Sequence, residues 1–248
     1  MNGHIIEDVP AHTYLGLKFA HNLRWNHHIN DISIKARRKL NLMIPLKFKL
    51  DRKSLEIMYK SFVQPTMEYA ISVWGGTFDS DLVKLERIHV DGMRLITGAT
   101  ARSNIANVYE ETKFMSISER RDLSMLIMVY KIKNGLTPGY LVDIMPRENH
   151  EYIRYNLRNN QDISVPYTRL EIFRRSFVPF AINLWNKLSQ ANRNEPTLLA
   201  FKHSLIKERD EPNVLYYYGN RWPSIHHSRL RIGCSKFNHD LHYNLHVV

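Results

Sequence analysis

Apolar residues stand at Trp25, Ile29, Ile32, Ala36, Leu40 and Met43. At 100° per residue they fall within an arc of about 80°, which predicts a helix with one buried stripe. Lys35 and Arg38 fall on the far side of that wheel, while Arg37 and Lys39 flank the stripe. Pro45 interrupts the pattern, and Asp51 is placed to cap a second helix carrying Leu55, Met58, Tyr59 and Phe62. Gly75 and Gly76 end that region. Asp79 or Ser80 can cap a third helix with Leu82, Leu85, Ile88 and Leu95, and Gly98 stands where a C-terminal cap belongs. Ser118, with Arg121 and Asp122, opens a fourth helix that Asn134 and Gly135 close.

Around this helical stretch the texture differs. Two short extended segments, Gly3 to Val9 and Thr13 to Phe19, are separated by Pro10 and are too short to stand alone as a sheet. After Pro138, residues 146–160 are polar and mixed. Ile163 to Phe173 has strand-like content, Phe177 to Leu188 returns to helical spacing, and Thr197 to Lys207 is a further short helix. The expected fold class is mainly α: a helical bundle preceded by a short β-hairpin and followed by a smaller mixed α+β C-terminal region. The expected division is 1–22, 23–135 and 136–248, with a soft boundary near 136–150.

Charge changes the picture. Lys and Arg number 35 against 24 Asp and Glu, leaving +11, a balance that favours an acidic partner such as a phosphate backbone. Over residues 35–60 nine cations (Lys35, Arg37, Arg38, Lys39, Lys47, Lys49, Arg52, Lys53 and Lys60) face only Asp51 and Glu56, so the stretch nets +7. Lys and Arg on a rigid helix face neutralise phosphates, and nearby aromatics position sugars and bases. Lys35, Arg37, Arg38, Lys39, Lys47, Lys49, Arg52 and Lys53 are therefore the candidate nucleic-acid contacts, against the plainer reading of a solvated basic helix. The single Cys234 excludes an internal disulfide framework, and no apolar run approaches a membrane span. The expectation is an intracellular chain, in nucleus or cytoplasm, with no membrane partner.

Candidate catalytic chemistry is sparse. Two-metal nucleotidyl transfer needs carboxylates gathered around the ions, yet no adjacent aspartate pair occurs, and Asp79-Ser80-Asp81 reads as a helix-capping turn. Phosphate-loop, dinucleotide, zincin and serine-hydrolase motifs are all missing. The tail spacing of Cys234, His239, His242 and His246 could hold zinc if helical. In the plainer alternative Cys234 is a small buried hydrophobe.

The order of several pieces is more specific than any one of them. Tyr14-Leu15-Gly16-Leu17 is followed by Leu23, Trp25, His28-Ile29 and Ile32. Leu55 to Tyr59 leads into Val63, Pro65, Glu68-Tyr69 and Val73-Trp74, and then come Leu85 to Ile88 and Arg94 to Gly98. Leu123 to Gly135 follows, then Arg174 to Pro179, Leu184 to Leu188, Phe201-Lys202, Arg229 to Cys234 and Asn238 to His242. Taken together, nearly the whole chain resembles the C-terminal half of non-LTR (LINE) retrotransposon reverse transcriptases of the jockey and CR1-like kind.

The resemblance implies roles that the residues alone do not assign. Tyr14, Leu15 and Gly16 match a primer-side strand motif at the joint of palm and thumb, so residues 1–22 become a hairpin remnant. The helices to about Gly135 match the thumb and its extension, which clamp a template and primer duplex by its backbone. Polymerase aspartates in this family lie upstream of the Tyr-Leu-Gly motif, and Mg2+ would belong with them, so no cofactor is expected here. A Cys/His module usually follows the Arg-Leu-Arg-Ile-Gly-Cys segment. The expected protein is thus a fragment of an RNA-directed DNA polymerase, not an enzyme on its own. Its expected partners are RNA or an RNA–DNA hybrid, and the missing reverse-transcriptase parts. The alternatives are a repurposed helical protein-interaction module and a non-functional relic.

Overall fold

In the computed structural model, residues 9–149, 161–206 and 221–234 are described. Ala11–Tyr14 (β1) and Leu17–Ala20 (β2) form an antiparallel hairpin, Tyr14 opposite Leu17 and Ala11 opposite Ala20. The two-residue turn is Leu15-Gly16, with φ of 47° and 79°. Positive φ at both positions is the backbone that matches strand twist in a tight hairpin. The segment expected to run as one strand from Thr13 to Phe19 therefore folds back on itself. Of the other expected strand, Gly3 to Val9, all but Val9 lies outside the described residues.

Helices dominate the rest. Asn26–Met43 (α1) buries Ile29, Ile32, Ala36, Leu40 and Met43, the stripe expected from the sequence except for Trp25, which precedes the helix and is half-buried. Asp51 accepts the Ser54 amide at 2.8 Å and starts Arg52–Met58 (α2). That helix continues through a widened turn at Tyr59–Val63 into Gln64–Glu68 (α3). The wide turn has a local cause. Pro65 lacks an N–H, and its ring would press on the carbonyl four residues back, so the ladder opens just before it. Ile71–Trp74 (α4) follows, and then Asp79–Thr97 (α5), which closes on Gly98 at φ 77°. Asp79 lies within the first turn of α5. Gly92 is required in that helix because a Cβ there would sit 2.3 Å from the Tyr59 ring.

Ile105–Thr112 (α6) is capped by Asn104. Ile117–Lys133 (α7) opens with a reciprocal cap in which Ser116 and Glu119 bond each other's backbone amides at 2.8 and 3.2 Å. It ends where Leu136 and Gly135 amides return to the Lys131 and Ile132 carbonyls. Beyond lie Tyr140–Ile144 (α8), Glu171–Arg174 (α9), Phe177–Asn186 (α10), Gln190–Arg193 (α11), Leu198–Leu205 (α12) and Arg221–Ile232 (α13). The strand content expected across Ile163 to Phe173 reduces to one antiparallel bridge, Glu148 with Ile163. The mainly helical class with an N-terminal hairpin is as expected.

The chain gathers into two units, each discontinuous in sequence, whereas the sequence pattern divides it linearly. The first comprises residues 1–31, 70–81 and 121–206, and the second residues 32–69, 82–120 and 207–248. In the first, Met125, Leu126, Val129, Tyr130, Ile163, Ala181, Ile182, Trp185 and Phe201 form one core. Tyr130 and Phe201 stack within it at 4.4 Å, and the Tyr130 hydroxyl donates to the Glu195 carbonyl. In the second, Tyr59, His89 and Phe114 pack ring against ring, and the Tyr59 hydroxyl lies 2.6 Å from His89 Nδ1.

Candidate nucleic-acid interface

The basic residues of 35–60 separate into three kinds of environment. Lys35 and Arg38 stand exposed on α1, and Lys49 and Lys53 are exposed on either side of the Asp51 cap. Arg37 and Lys39 are held at the flanks of the helix. Arg37 donates to Asp91 Oδ2 at 2.6 Å, and Lys39 donates to the Thr66 hydroxyl at 2.7 Å while lying 4.6 Å from the Phe62 ring centre. Lys47 is half-buried in the link between α1 and α2. Its ammonium is pushed below the usual lysine range, by burial first and then by the charges of Arg229 and Arg221.

Arg52 belongs to the interior. Its side chain is 1% exposed and pairs with Glu111 at 3.3 Å. Its Nη2 donates to the Thr97 carbonyl at 3.2 Å, the Ser224 carbonyl at 3.0 Å and the Ser228 hydroxyl. A phosphate contact expected of Arg52 from its basic neighbours does not fit this placement, since the guanidinium is desolvated and its donors are turned inward.

The residues around Arg52 explain why it is there. The last carbonyls of a helix have no intrahelical donor and carry the negative end of its dipole. At the C-terminus of α5, Arg221 donates to the Leu95 and Ile96 carbonyls, Arg52 to Thr97 and Arg229 to Gly98. Three guanidinium groups thus satisfy four successive carbonyls. Glu111 balances this charge: it accepts from Arg52, from the Ser228 hydroxyl at 2.7 Å, and from Arg231 through Nε at 2.7 Å and Nη2 at 2.5 Å.

Next to this cap lies an aromatic pair that the sequence reading did not single out. Phe48 and Trp222 stack with ring centres 5.2 Å apart and planes within 9°, and they are 52% and 56% exposed. The Lys47 ammonium lies 5.3 Å from the Phe48 ring centre. The signal that could have found it is the run Lys47-Phe48-Lys49, an apolar ring between two cations in an exposed link.

The remaining candidates are placed as follows. Tyr14 and Leu15 stand exposed with Gly16 at the hairpin turn. Cys234 is a half-buried free thiol whose amide returns to the Arg229 carbonyl beyond Gly233, closing α13. His239, His242 and His246 lie outside the described residues. Among the described residues, no three His, Cys, Asp or Glu side chains are placed to share a metal ion, and no helix is long and apolar enough to cross a membrane. The first unit also holds an apolar cavity of about 370 Å³ lined by Phe19, Leu23, Val73, Phe173 and Phe177, among others. At its wall, Phe78 has Arg24 5.3 Å and Arg175 4.9 Å from its ring centre.

Part of this chain is similar in sequence to RNA-directed DNA polymerases of mobile elements. One relative is the probable RNA-directed DNA polymerase from transposon X-element of Drosophila melanogaster, 30% identical over 101 residues, which covers 38% of this chain and 11% of the relative. Another is the RNA-directed DNA polymerase from mobile element jockey of the same organism, 25% identical over 123 residues, which covers 48% of this chain and 13% of the relative. The chain therefore spans little more than a tenth of the length of these relatives. No family model matches it, and no solved structure matches it.

Proposed function

We propose that this chain is a thumb-side fragment of a non-LTR retrotransposon RNA-directed DNA polymerase that grips RNA or an RNA–DNA duplex by its backbone and does not itself polymerise. The observation that carries the reading is the exposed set Lys35, Arg38, Lys49 and Lys53 on and beside α1, with Arg37 and Lys39 anchored at its flanks. Exposed cations on a helix and in the link and helix that follow it can meet phosphates without reading bases, which suits a sequence-tolerant grip. The partial similarity to mobile-element polymerases supports the polymerase origin. The lack of any adjacent aspartate pair in the 248 residues supports the absence of a catalytic palm here.

The purified chain should bind a primed RNA template and extend no primer in the presence of Mg2+. Charge reversal by Lys35→Glu with Arg38→Glu should weaken binding equally across unrelated sequences. Metal-dependent primer extension would overturn the non-catalytic part, and unaltered binding by the charge-reversed variant would overturn the grip. A second reading, a helical protein-interaction module, is favoured by the exposed Leu42 and Ile44 beside the same basic face. It predicts no nucleic-acid binding at about 50 mM salt, where phosphate-contacting proteins bind best.

A further inference from the structure

We infer that the stacked pair Phe48 and Trp222 is a platform for an unpaired nucleobase, placed beside the basic stretch so that a single-stranded segment with its phosphates can be held there. The inference rests on the backbone-binding reading above and names the strand type that the same face takes.

Four observations carry it. The two rings are parallel within 9° and more than half exposed, so a flat aromatic face is open to solvent beside them. They are held rigidly. Trp222 follows Arg221, whose guanidinium donates to the Leu95, Ile96 and Lys47 carbonyls, and Phe48 follows Lys47. The charge around them is positive. The ammonium of Lys47 sits against the Phe48 ring, Arg229 and Arg221 are close enough to Lys47 to act on its charge, and Lys49 is exposed. Lastly, two carboxylates among the described residues are engaged with the protein itself: Asp51 caps α2, and Glu111 is taken up by Arg52, Ser228 and Arg231.

A flat exposed aromatic surface edged by cations suits a base with a flanking phosphate. Every base offers a π-face, and each base–aromatic stack contributes substantially to single-strand binding. A blunt duplex keeps its bases stacked on one another and offers this surface only its end pair. The platform therefore predicts a preference for single-stranded RNA, or for a duplex with an overhang, over a blunt duplex of equal charge.

The test uses the full chain and single-stranded RNA carrying 2-aminopurine, whose fluorescence is quenched on stacking, beside a blunt RNA–DNA duplex of the same length. Wild type should quench the probe. Trp222→Ala should lose the quench and bind the single strand roughly 5- to 100-fold more weakly, with an unchanged salt slope because no phosphate contact is removed. Trp222→Phe, which keeps an aromatic face, should restore most of both. Unchanged thermal melting of the variants checks the fold.

Wild-type affinity and quench in Trp222→Ala, alongside weakened binding by Lys35→Glu with Arg38→Glu, would overturn the platform and leave the backbone grip standing. Failure of wild type to bind any nucleic acid at about 50 mM salt would overturn the grip beneath it. Self-association of wild type that Trp222→Ala abolishes, with no change in RNA binding, would reassign the rings to a contact between copies of the chain.

Discussion

Glu111 accepts from both Arg52 and Arg231, and replacing it by Gln tests how the arginine cap of α5 is held. The substitution keeps the side-chain volume and removes the charge. Arg52 would keep its bonds to the Thr97 and Ser224 carbonyls but would lose its ion-pair partner while 1% exposed. Breaking one side of a buried pair costs about 3–5 kcal/mol, because a desolvated charge is left uncompensated. The retained carbonyl bonds and the partial exposure of Arg231 place the expected loss near the lower end, about 3 kcal/mol. With a urea m-value of about 2–3 kcal/mol/M, the midpoint should fall by about 1–1.5 M. Urea unfolding followed by the helical circular dichroism signal reads this directly. Glu110→Gln is the control: that carboxylate is 76% exposed and pairs with Lys113 at the surface, so its change should stay below about 0.5 kcal/mol. A Glu111→Gln midpoint equal to that of Glu110→Gln would refute the reasoning, since it would mean that Arg52 needs no counter-charge.

Other expectations follow from local geometry. His89 is buried beside Tyr59, and its imidazole is held down to about 4, by burial first and by the charge of Arg120 second. The unfolded chain binds that proton near pH 6.5. The contribution of the neutral ring is therefore full above about pH 6.5 and lost as pH falls through about 4, by a few kcal/mol at most. Acid titration of stability should show this slope, and His89→Gln should flatten it. An equal slope in that variant would contradict the assignment. At the hairpin, Leu15 holds a φ of 47° that favours Gly or Asn, so Leu15→Asn should stabilise the chain by about 0.5–1 kcal/mol in thermal unfolding. A lowered melting temperature would show that the exposed leucine contributes more than its backbone strain costs.

The residues that signalled their roles in the sequence are those whose roles are local. The α1 stripe, the Asp51 cap and the Asn134-Gly135 stop each depend on neighbours within a few positions, and each folds as its pattern predicts. Ser116 and Glu119 carried an equally local capping signal, which Ser118 masked by standing in the same turn. Leu15 hid the hairpin turn because a β-favouring side chain occupies a position that usually takes Asn or Gly. Arg52 was illegible for a different reason. Its neighbours Lys49 and Lys53 are exposed, and what draws it inward is Glu111, 59 residues away, together with the Ser224 carbonyl, 172 residues away. The helix α13 was obscured by Pro223 and by its arginines and histidines, which read as polar surface. Arg221 is in fact 6% exposed because it terminates another helix. Of the candidate interface, the charge and its helix were visible, while the division into exposed, anchored and buried cations required the fold.

The central claim, a backbone grip by exposed cations, is tested most directly by the salt dependence of binding to an RNA–DNA hybrid measured by fluorescence anisotropy. If Lys35, Arg38, Lys49 and Lys53 each meet a phosphate, log Kobs should fall against log salt with a slope of about −3 to −4, and Lys35→Glu with Arg38→Glu should bring that slope about 2 closer to zero. A slope near zero in wild type, or the same slope in the variant, would contradict the account.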